Sequence, residues 1–262
     1  MPEGHTIHRL ARDLLADLGG RTVRASSPQG RFVEGAARID GATVVDTEAW
    51  GKHLFVELGI GEVLHIHLGL IGKLRRQASP PEDPVGQVRL RLEGEAATWD
   101  LSGPMVCAVV TPDAMEAVAS SLGPDPLRRD ADPERFVARV LRSKKPIGNL
   151  LLEQDVIAGI GNVYRAEVLW SLGIHPGREG RSLSRDELMA IWRWMVKALR
   201  LGVRRNRIVT VDPKDLGKPL SRISREEALN AYHRSQCSRC SGPITPLDLG
   251  GRRIDVCPRC QT

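Results

Sequence analysis

Four of the five cysteines in this 262-residue chain fall within its last 26 positions, as Cys237-x2-Cys240 and Cys257-x2-Cys260 with sixteen residues between the pairs. Two such knuckles at this separation can close a tetrahedral thiolate site around one metal ion, and that geometry dictates the local fold. The intervening segments "SGPITPL" and "GGRRIDV" suit the two strands of a hairpin. A hairpin of that size has no core of its own, so a metal would stiffen it. Zinc is the expected ion, one Zn2+ per chain; a redox-active arrangement is the competing reading of the same spacing. Four thiolates leave no open position, which makes the metal structural rather than a Lewis acid. Arg252 and Arg253 lie close to the hairpin tip, an arrangement suited to phosphate recognition.

The N-terminal segment is acidic and amphipathic rather than basic and then apolar, so no secretory signal is read there. No apolar run approaches the roughly 18 to 20 residues that a membrane span needs. The expectation is a cytoplasmic protein without membrane association, a setting in which clustered cysteines point to metal rather than disulfides. The net charge of +6 hides an asymmetry: residues 1–125 hold 12 Lys/Arg against 17 Asp/Glu, and residues 126–262 hold 26 against 15. A basic second half fits a polyanionic partner such as nucleic acid, and it equally fits a plain solvated surface.

Residues 6–18 place Ile7, Leu10, Ala11, Leu14, Leu15 and Leu18 at helical spacing, and Gly19-Gly20 stops the helix. Beyond it, "RTVRAS", "ATVVDTEAW", "HLFVEL", "EVLHIHL", "QVRLRLEG", "EAATWDLS" and "MVCAVV" are short, alternating or β-branched, and punctuated by turn residues. They predict antiparallel sheets in a sandwich that carries the leading helix. A break at "SLGPDPLRRDADPERF" introduces helical patterning: 133–142 behind an Asp132 cap, 147–153 after Pro146, "NVYRAEVLWSLG" ended by Gly173, and "RDELMAIWRWMVKALRLG" behind a Ser184/Glu187 capping box. Residues 203–234 lack periodicity and read as a mobile loop. The fold class is therefore α+β. The expected domains are an N-terminal β-sandwich over 1–122, a linker over 123–132, a helical domain over 133–230 and a zinc-finger hairpin over 231–262.

Four further stretches each admit two readings. In "AGIGNVYRAE" the backbone amides of a glycine turn and a helix start would bind an anion, with Asn162 bonding a phosphate oxygen; alternatively the glycines only permit close helix packing. If Met1 is removed, Pro2 gains a free secondary amine able to attack an aldehyde-like carbon, and Glu3 can shuttle its proton; alternatively both residues merely begin a helix. Lys52 follows a glycine in a tight turn, where it projects toward the helix start or is simply solvated. Leu70 and Ile71, bracketed by glycines in "HLGLIG", either tuck into a core or fill the gap left by a flipped base.

The segments "PEG", "GKHLF", "HLGLIG", "LGPDPL", "AGIGNVYRAE" and "GGRRIDVCPRCQ" resemble, in order and spacing, the formamidopyrimidine-DNA glycosylase/endonuclease VIII family of base-excision repair enzymes. The likeness spans nearly the whole chain and is greatest to the endonuclease VIII-like branch found in actinobacteria. It implies a monomer that binds damaged double-stranded DNA in a cleft between its domains, with a helix–two-turn–helix element in the second domain. By the same resemblance Pro2 is the Schiff-base nucleophile, Glu3 the general acid/base, and Lys52 the lysine that contacts the phosphate at the damaged site and aids elimination. Asn162 would hold backbone phosphates. Arg252, five positions before Cys257, would grip the phosphates flanking the lesion, and Arg253 falls outside that register. Leu70, with Ile71 behind it, would be the wedge. The implied reaction is excision of an oxidised base followed by β,δ-elimination.

Departures from the family pattern refine this expectation. The branch specialised for oxidised purines carries an Arg and a Phe on a loop of the sheet domain, and "WDLSGPMVC" offers neither. Oxidised pyrimidines such as thymine glycol are thus the expected substrates, with oxidised purines as the alternative and a catalytically silent DNA-binding zinc protein as a third reading. Gly69 and Ile71 stand where the endonuclease VIII pattern has a polar and an aromatic residue. Thr6 replaces a usual Glu, and "AYHRSQC" is a short spacer before the first cysteine.

Overall fold

A computed structural model describes residues 2–262, which divide into two compact units, one ending at Ser121 and the other running from Leu122 to Thr262. Among the described residues no helix is long and apolar enough to cross a membrane.

The first unit opens with helix α1 (Gly4–Leu18) and contains strands β1 (Arg24–Ser26), β2 (Val44–Trp50), β3 (His53–Leu58), β4 (Glu62–His67), β5 (Lys73–Ala78), β6 (Val88–Glu93), β7 (Ala97–Ser102) and β8 (Val106–Val110). They form two four-stranded sheets, β1-β6-β7-β5 and β2-β3-β4-β8, with every pairing antiparallel. The apolar stripe of α1 (Ile7, Ala11, Leu14, Leu18) shares one core with Leu54, Val56, Leu64 and Ile66 of one sheet and Leu90, Leu92, Trp99 and Leu101 of the other. This is the sandwich that the alternating segments predict. Strand β5 is the one that patterning does not foretell: "KLRRQA" buries only Leu74 in the core and is otherwise polar or exposed, as suits a strand at the edge of its sheet. Two short helices, α2 (Val33–Ile39) and α3 (Pro112–Ser121), complete the unit.

The second unit is built on α4 (Pro133–Leu141), α5 (Ile147–Leu150), α6 (Asn162–Leu172) and α7 (Arg185–Arg205), and ends in strands β9 (Thr245–Asp248) and β10 (Arg253–Val256). Helix boundaries follow local chemistry. Asp132 accepts from the Glu134 N–H at 2.9 Å, Ser184 and Glu187 form a reciprocal capping box, and Gly173 closes α6 at φ 70°. Two ends differ from expectation. Helix α7 continues to Arg205 and stops at Asn206 in the left-handed region (φ 52°). Helix α5 is a single turn rather than 147–153, because the Gln154 side chain donates to the carbonyls of Leu152 and Ile160 and turns the chain toward α6. The unit's core gathers Phe136, Val140, Leu150, Tyr164, Leu169, Trp192 and Met195, and Ile254 and Val256 of β10 join it. Residues 207–234 are mostly irregular, but they carry a small cluster of their own, Val209, Ile223 and Ala228.

Candidate nucleic-acid interface and metal centre

The sulfur atoms of Cys237, Cys240, Cys257 and Cys260 all lie within 4.8 Å of one another, with Cys237–Cys260 at 3.8 Å and Cys240–Cys257 at 3.5 Å. Tetrahedral thiolates about 2.3 Å from a zinc ion would stand roughly 3.8 Å apart, so the cluster has the size of a metal centre. No disulfide joins them. Burial would raise the Cys237 thiol, but the Trp170 indole N–H at 3.3 Å and the backbone N–H groups of Cys240 and Arg239 outweigh it and bring the thiol down to about 6. Donors aimed at a sulfur favour the thiolate that a metal requires. The residues present therefore fit a closed four-sulfur site.

Between the knuckles, β9 and β10 pair from Thr245↔Val256 to Asp248↔Arg253. Gly250 (φ 63°) and Gly251 (φ 75°) make the reversal, with Leu249 and Arg252 exchanging backbone hydrogen bonds across it. Two successive positive φ values define a tight turn that glycine adopts without strain. The turn separates the two arginines chemically. Arg253 is held by the buried Asp255 through bonds of 2.8 and 2.9 Å. Arg252 is exposed at the turn, and among the described residues its side chain has no hydrogen-bond or ion-pair partner.

Asn162 is the first residue of α6, and its Nδ2 donates to the Arg253 carbonyl at 3.1 Å. Arg165, one turn along, donates to the Asn162 side-chain oxygen, to the same Arg253 carbonyl at 2.8 Å and to the Gly148 carbonyl at 3.1 Å. The amide of Asn162 is thereby oriented, with one Nδ2 hydrogen still unspent by these bonds. The glycine turn before it narrows the sequence reading. The Ala158 N–H donates to the Pro124 carbonyl and the Gly159 N–H to Gln154 Oε1, so those two amides serve the fold rather than an anion.

In the first unit, the N-terminus, Lys52 and the apolar turn share one end. Helix α1 runs against β2: Gly20 N–H donates to Val44 O at its C-terminal end, and Thr47 Oγ1 donates to Ala11 O midway. From there α1 covers about 10 Å to Gly4 at 1.5 Å per residue, and β2 about 10 Å to Trp50 at 3.3 Å per residue. Pro2 and Glu3 are thus level with the β2–β3 reversal, Gly51-Lys52. Gly51 (φ 59°) gives this two-residue hairpin its hand, and Lys52 is half-buried in it. Glu3 is fully buried at the N-cap of α1, where the positive end of the helix favours a carboxylate. Thr6, in the first turn, is half-buried and in contact with His5. The processing of Met1 lies outside the described residues.

His53 and His67 face each other across β3 and β4 at this end, with His65 one step further in. His53 Nδ1 meets His65 Nε2 at 2.9 Å, and the His53 ring stands 4.7 Å from His67 edge to face. Burial drives all three imidazoles down, His53 to about 3 and His65 to about 4; neighbouring histidines add to the effect on His53 and His65, and the Lys52 charge adds to it on His53 and His67. His67 Nδ1 accepts the Gly69 N–H at 3.1 Å, which leaves its proton on Nε2. The turn that follows, closed by Gly72 N–H to Leu68 O at 3.0 Å, exposes Leu70 and Ile71 rather than tucking them into a core.

Sequence reasoning does not single out Arg165, Glu167 or the histidine stack. Arg165 and Glu167 are fully buried charges inside a helical pattern, and a polar residue at a core position is the signal that finds them. Glu167 accepts from the N–H groups of Asn230, Ala231 and Tyr232 at 2.8–2.9 Å and from the Thr210 hydroxyl, tying residues 207–234 to α6.

Comparison with known proteins gives a consistent picture. Residues 1–102 match the family model described as the formamidopyrimidine-DNA glycosylase N-terminal domain, and residues 122–213 match the formamidopyrimidine-DNA glycosylase H2TH domain. Proteins named Endonuclease 8 1 from Mycobacterium tuberculosis and Mycobacterium bovis are each 43% identical over 269 residues, covering 100% of both chains. A formamidopyrimidine-DNA glycosylase from Corynebacterium urealyticum is 29% identical and covers 100% of this chain and 99% of its own. The crystal structure of Lactococcus lactis Fpg with DNA containing FAPY-dG has the same fold, with a TM-score of 0.81 at 24% identity over 98% of each chain.

Proposed function

The chain belongs to the formamidopyrimidine-DNA glycosylase family, whose members are DNA glycosylases with AP lyase activity, and on that premise we propose that it excises oxidised bases, pyrimidines preferentially, through an imine formed by Pro2. The observation that carries this reading is the sharing of one end of the first unit by the N-terminus, the buried Glu3, Lys52 and an exposed apolar turn.

With Met1 removed, the secondary amine of Pro2 attacks C1′ of the damaged nucleotide and the C1′–N bond to the base breaks. Glu3 takes the proton that the amine sheds on attack and passes it to the sugar ring oxygen as the ring opens, leaving a cationic iminium at C1′, while the departing base takes its proton from water. The iminium acidifies the C2′ proton; its removal sends electrons toward C3′ and expels the 3′ phosphate. A second elimination expels the 5′ phosphate, and water releases the enzyme. Lys52 stabilises the departing phosphate, and Asn162 and Arg252 hold backbone phosphates, with affinity that falls steeply with salt. The four cysteines would hold one Zn2+, which cross-links the hairpin and takes no part in bond breaking. DNA in the duplex form is the substrate, and a monomer suffices for each of these roles. Preference for pyrimidines is supported by the greater identity to the Endonuclease 8 1 relatives and by a 99–107 segment without an Arg or Phe.

Borohydride trapping tests the reading on matched duplexes bearing thymine glycol, 8-oxoguanine or an abasic site. A covalent adduct with thymine glycol and with the abasic strand is expected, and Pro2→Gly, which keeps an N-terminal amine, should retain DNA binding and lose most base release from thymine glycol. An adduct with 8-oxoguanine and none with thymine glycol would overturn the pyrimidine assignment. No adduct with the abasic strand would remove Pro2 as the nucleophile.

A further inference from the structure

Helix α7 carries a row of cations on its outward face: Arg193, Lys197, Arg200 and Arg204. Steps of four, three and four residues stack these side chains in one stripe about 16 Å long at 1.5 Å per residue. The stripe lies opposite the residues that the helix buries, Leu188, Ile191, Trp192, Met195 and Leu199. All four cations are exposed, and among the described residues none of their side chains has a hydrogen-bond or ion-pair partner. Cations nearby in the second unit are matched instead: Arg139 pairs with Asp155, Lys145 with Glu153, Arg178 with Glu187 and Arg185 with Glu134. Both acids of α7, Asp186 and Glu187, lie in its first turn, and Glu187 is engaged by Ser184 and Arg178. The negative end of the helix accounts for Arg204 but not for Arg193 or Lys197, which stand roughly three and two turns before it. Like charges at this spacing repel, so the row weakens the helix that carries it.

Resting on the reading that this chain acts on duplex DNA, we propose that the α7 stripe is a second DNA-binding face, separate from Asn162 and Arg252, which grips the phosphates of another duplex segment without regard to sequence. Helix α6 meets α7 on a different side: the Trp194 indole N–H donates to Ser171 Oγ at 2.9 Å, and the Tyr164 hydroxyl lies 3.5 Å from the Ala198 carbonyl. The stripe faces away from that contact and stays open when a duplex is held at the start of α6. No large apolar side chain of α7 is exposed beside the cations. The face therefore lacks the apolar edge that a membrane-surface helix inserts and the aromatic or aliphatic anchors on which protein partners dock. What remains is a regular row of like charges, and its complement is a polymer with regular charges of the opposite sign. A DNA strand presents a phosphate about every 3.4 Å of duplex axis, so the row meets phosphates in any sequence. A second grip lets the chain hold one segment while its lesion site takes up another.

The test fills the lesion site first. Enzyme joined covalently to an abasic duplex by borohydride is titrated with a fluorescent undamaged duplex, and sedimentation counts the duplexes bound. The trapped wild-type chain should bind one further duplex, with affinity falling about ten-fold for each doubling of salt, as the release of four counterions requires. A variant combining Arg193→Gln, Lys197→Gln, Arg200→Gln and Arg204→Gln should lose that second duplex. Glutamine favours helix and removes the repulsion, so this variant should melt no lower than wild type and excise from a short lesion duplex at the wild-type rate. Arg193→Lys, Arg200→Lys and Arg204→Lys together should keep the second duplex, because charge alone makes the contact. A trapped wild-type chain that binds no further duplex, or a glutamine variant that binds it equally well, would overturn the proposal and leave the glycosylase reading intact. Tighter capture of poly-glutamate than of duplex would also overturn it, by giving the face to an acidic protein. A chain that forms no adduct with the abasic strand would overturn the glycosylase reading. The same count on untrapped protein, two duplexes for wild type against one for the glutamine variant, would then still decide the proposal.

Discussion

The carbonyl oxygen of Arg253 and the Nδ2 of Asn162 are 3.1 Å apart, although 91 positions separate the two residues in the chain. This bond joins the start of α6 to the hairpin between the cysteine knuckles, and Arg165 reinforces it from beneath. The two candidate phosphate contacts of the second unit, Asn162 and Arg252, are therefore set by one polar network.

Arg165 is fully buried and donates to three acceptors of that network. Arg165→Ala leaves the Gly148 and Arg253 carbonyls without this donor inside the core and is expected to cost ~3 kcal/mol of stability, measured by chemical denaturation. Arg165→Lys keeps the charge but not the fork, and should recover only part of the loss. A change below about 0.5 kcal/mol for the Ala variant would show that the hairpin docks without it.

Metal content follows from the sulfur spacing. Elemental analysis should find one zinc per chain, and chelation should abolish specific DNA binding while the helical signal of the second unit largely persists, because among the described residues the hairpin strands give its core just Ile254 and Val256 fully buried, with Leu247 partly buried beside them. Cys257→Ser should reproduce the chelated state. Full DNA affinity in a zinc-free preparation would contradict this.

Acid sensitivity follows from three imidazoles. His5 and His65 lie at about 4 and His53 at about 3 in the folded chain, against an ordinary value of 6.5, with burial the leading cause in each. Between those values the unfolded chain binds protons that the folded chain does not. Their contribution to stability is complete above about pH 6.5 and is lost as the pH falls through 6.5 toward 4. The melting temperature should drop steadily over that window, and His65→Phe, next to Phe55, should flatten the slope. A melting temperature that is constant from pH 7 to 5 would refute the assignment.

Glu167 anchors the irregular segment after α7 by accepting three consecutive backbone N–H groups. Glu167→Ala strands those donors and is expected to cost ~3 kcal/mol, with proteolytic cleavage within 207–234 rising sharply. Glu167→Gln keeps one acceptor oxygen and should show an intermediate rate of cleavage.

The cysteine spacing, the helix caps at Asp132 and Ser184, the stop at Gly173 and the alternation of seven strands are legible in the sequence because each is set by residues a few positions apart. Strand β5 is not, since an edge strand that buries a single apolar residue, Leu74, has no periodic signature. The same boundary divides the site. Sequence alone picks out Pro2, Glu3, Lys52 and the hairpin arginines as residues whose chemistry suits DNA. Only the tertiary structure binds Arg253 to Asp255 while leaving Arg252 exposed, and only it turns the Ala158 and Gly159 amides inward. Met105 comes to rest on Gly69 by the same means. The Ala158–Pro124 and Met105–Gly69 contacts close over about 35 positions and the Asn162–Arg253 bond over 91, and no local propensity reaches that far. The Arg253–Asp255 and Gly159–Gln154 bonds are short-range, but the burial of Asp255 and of Gly159 that fixes them comes from the docking of the hairpin and the packing of the second unit.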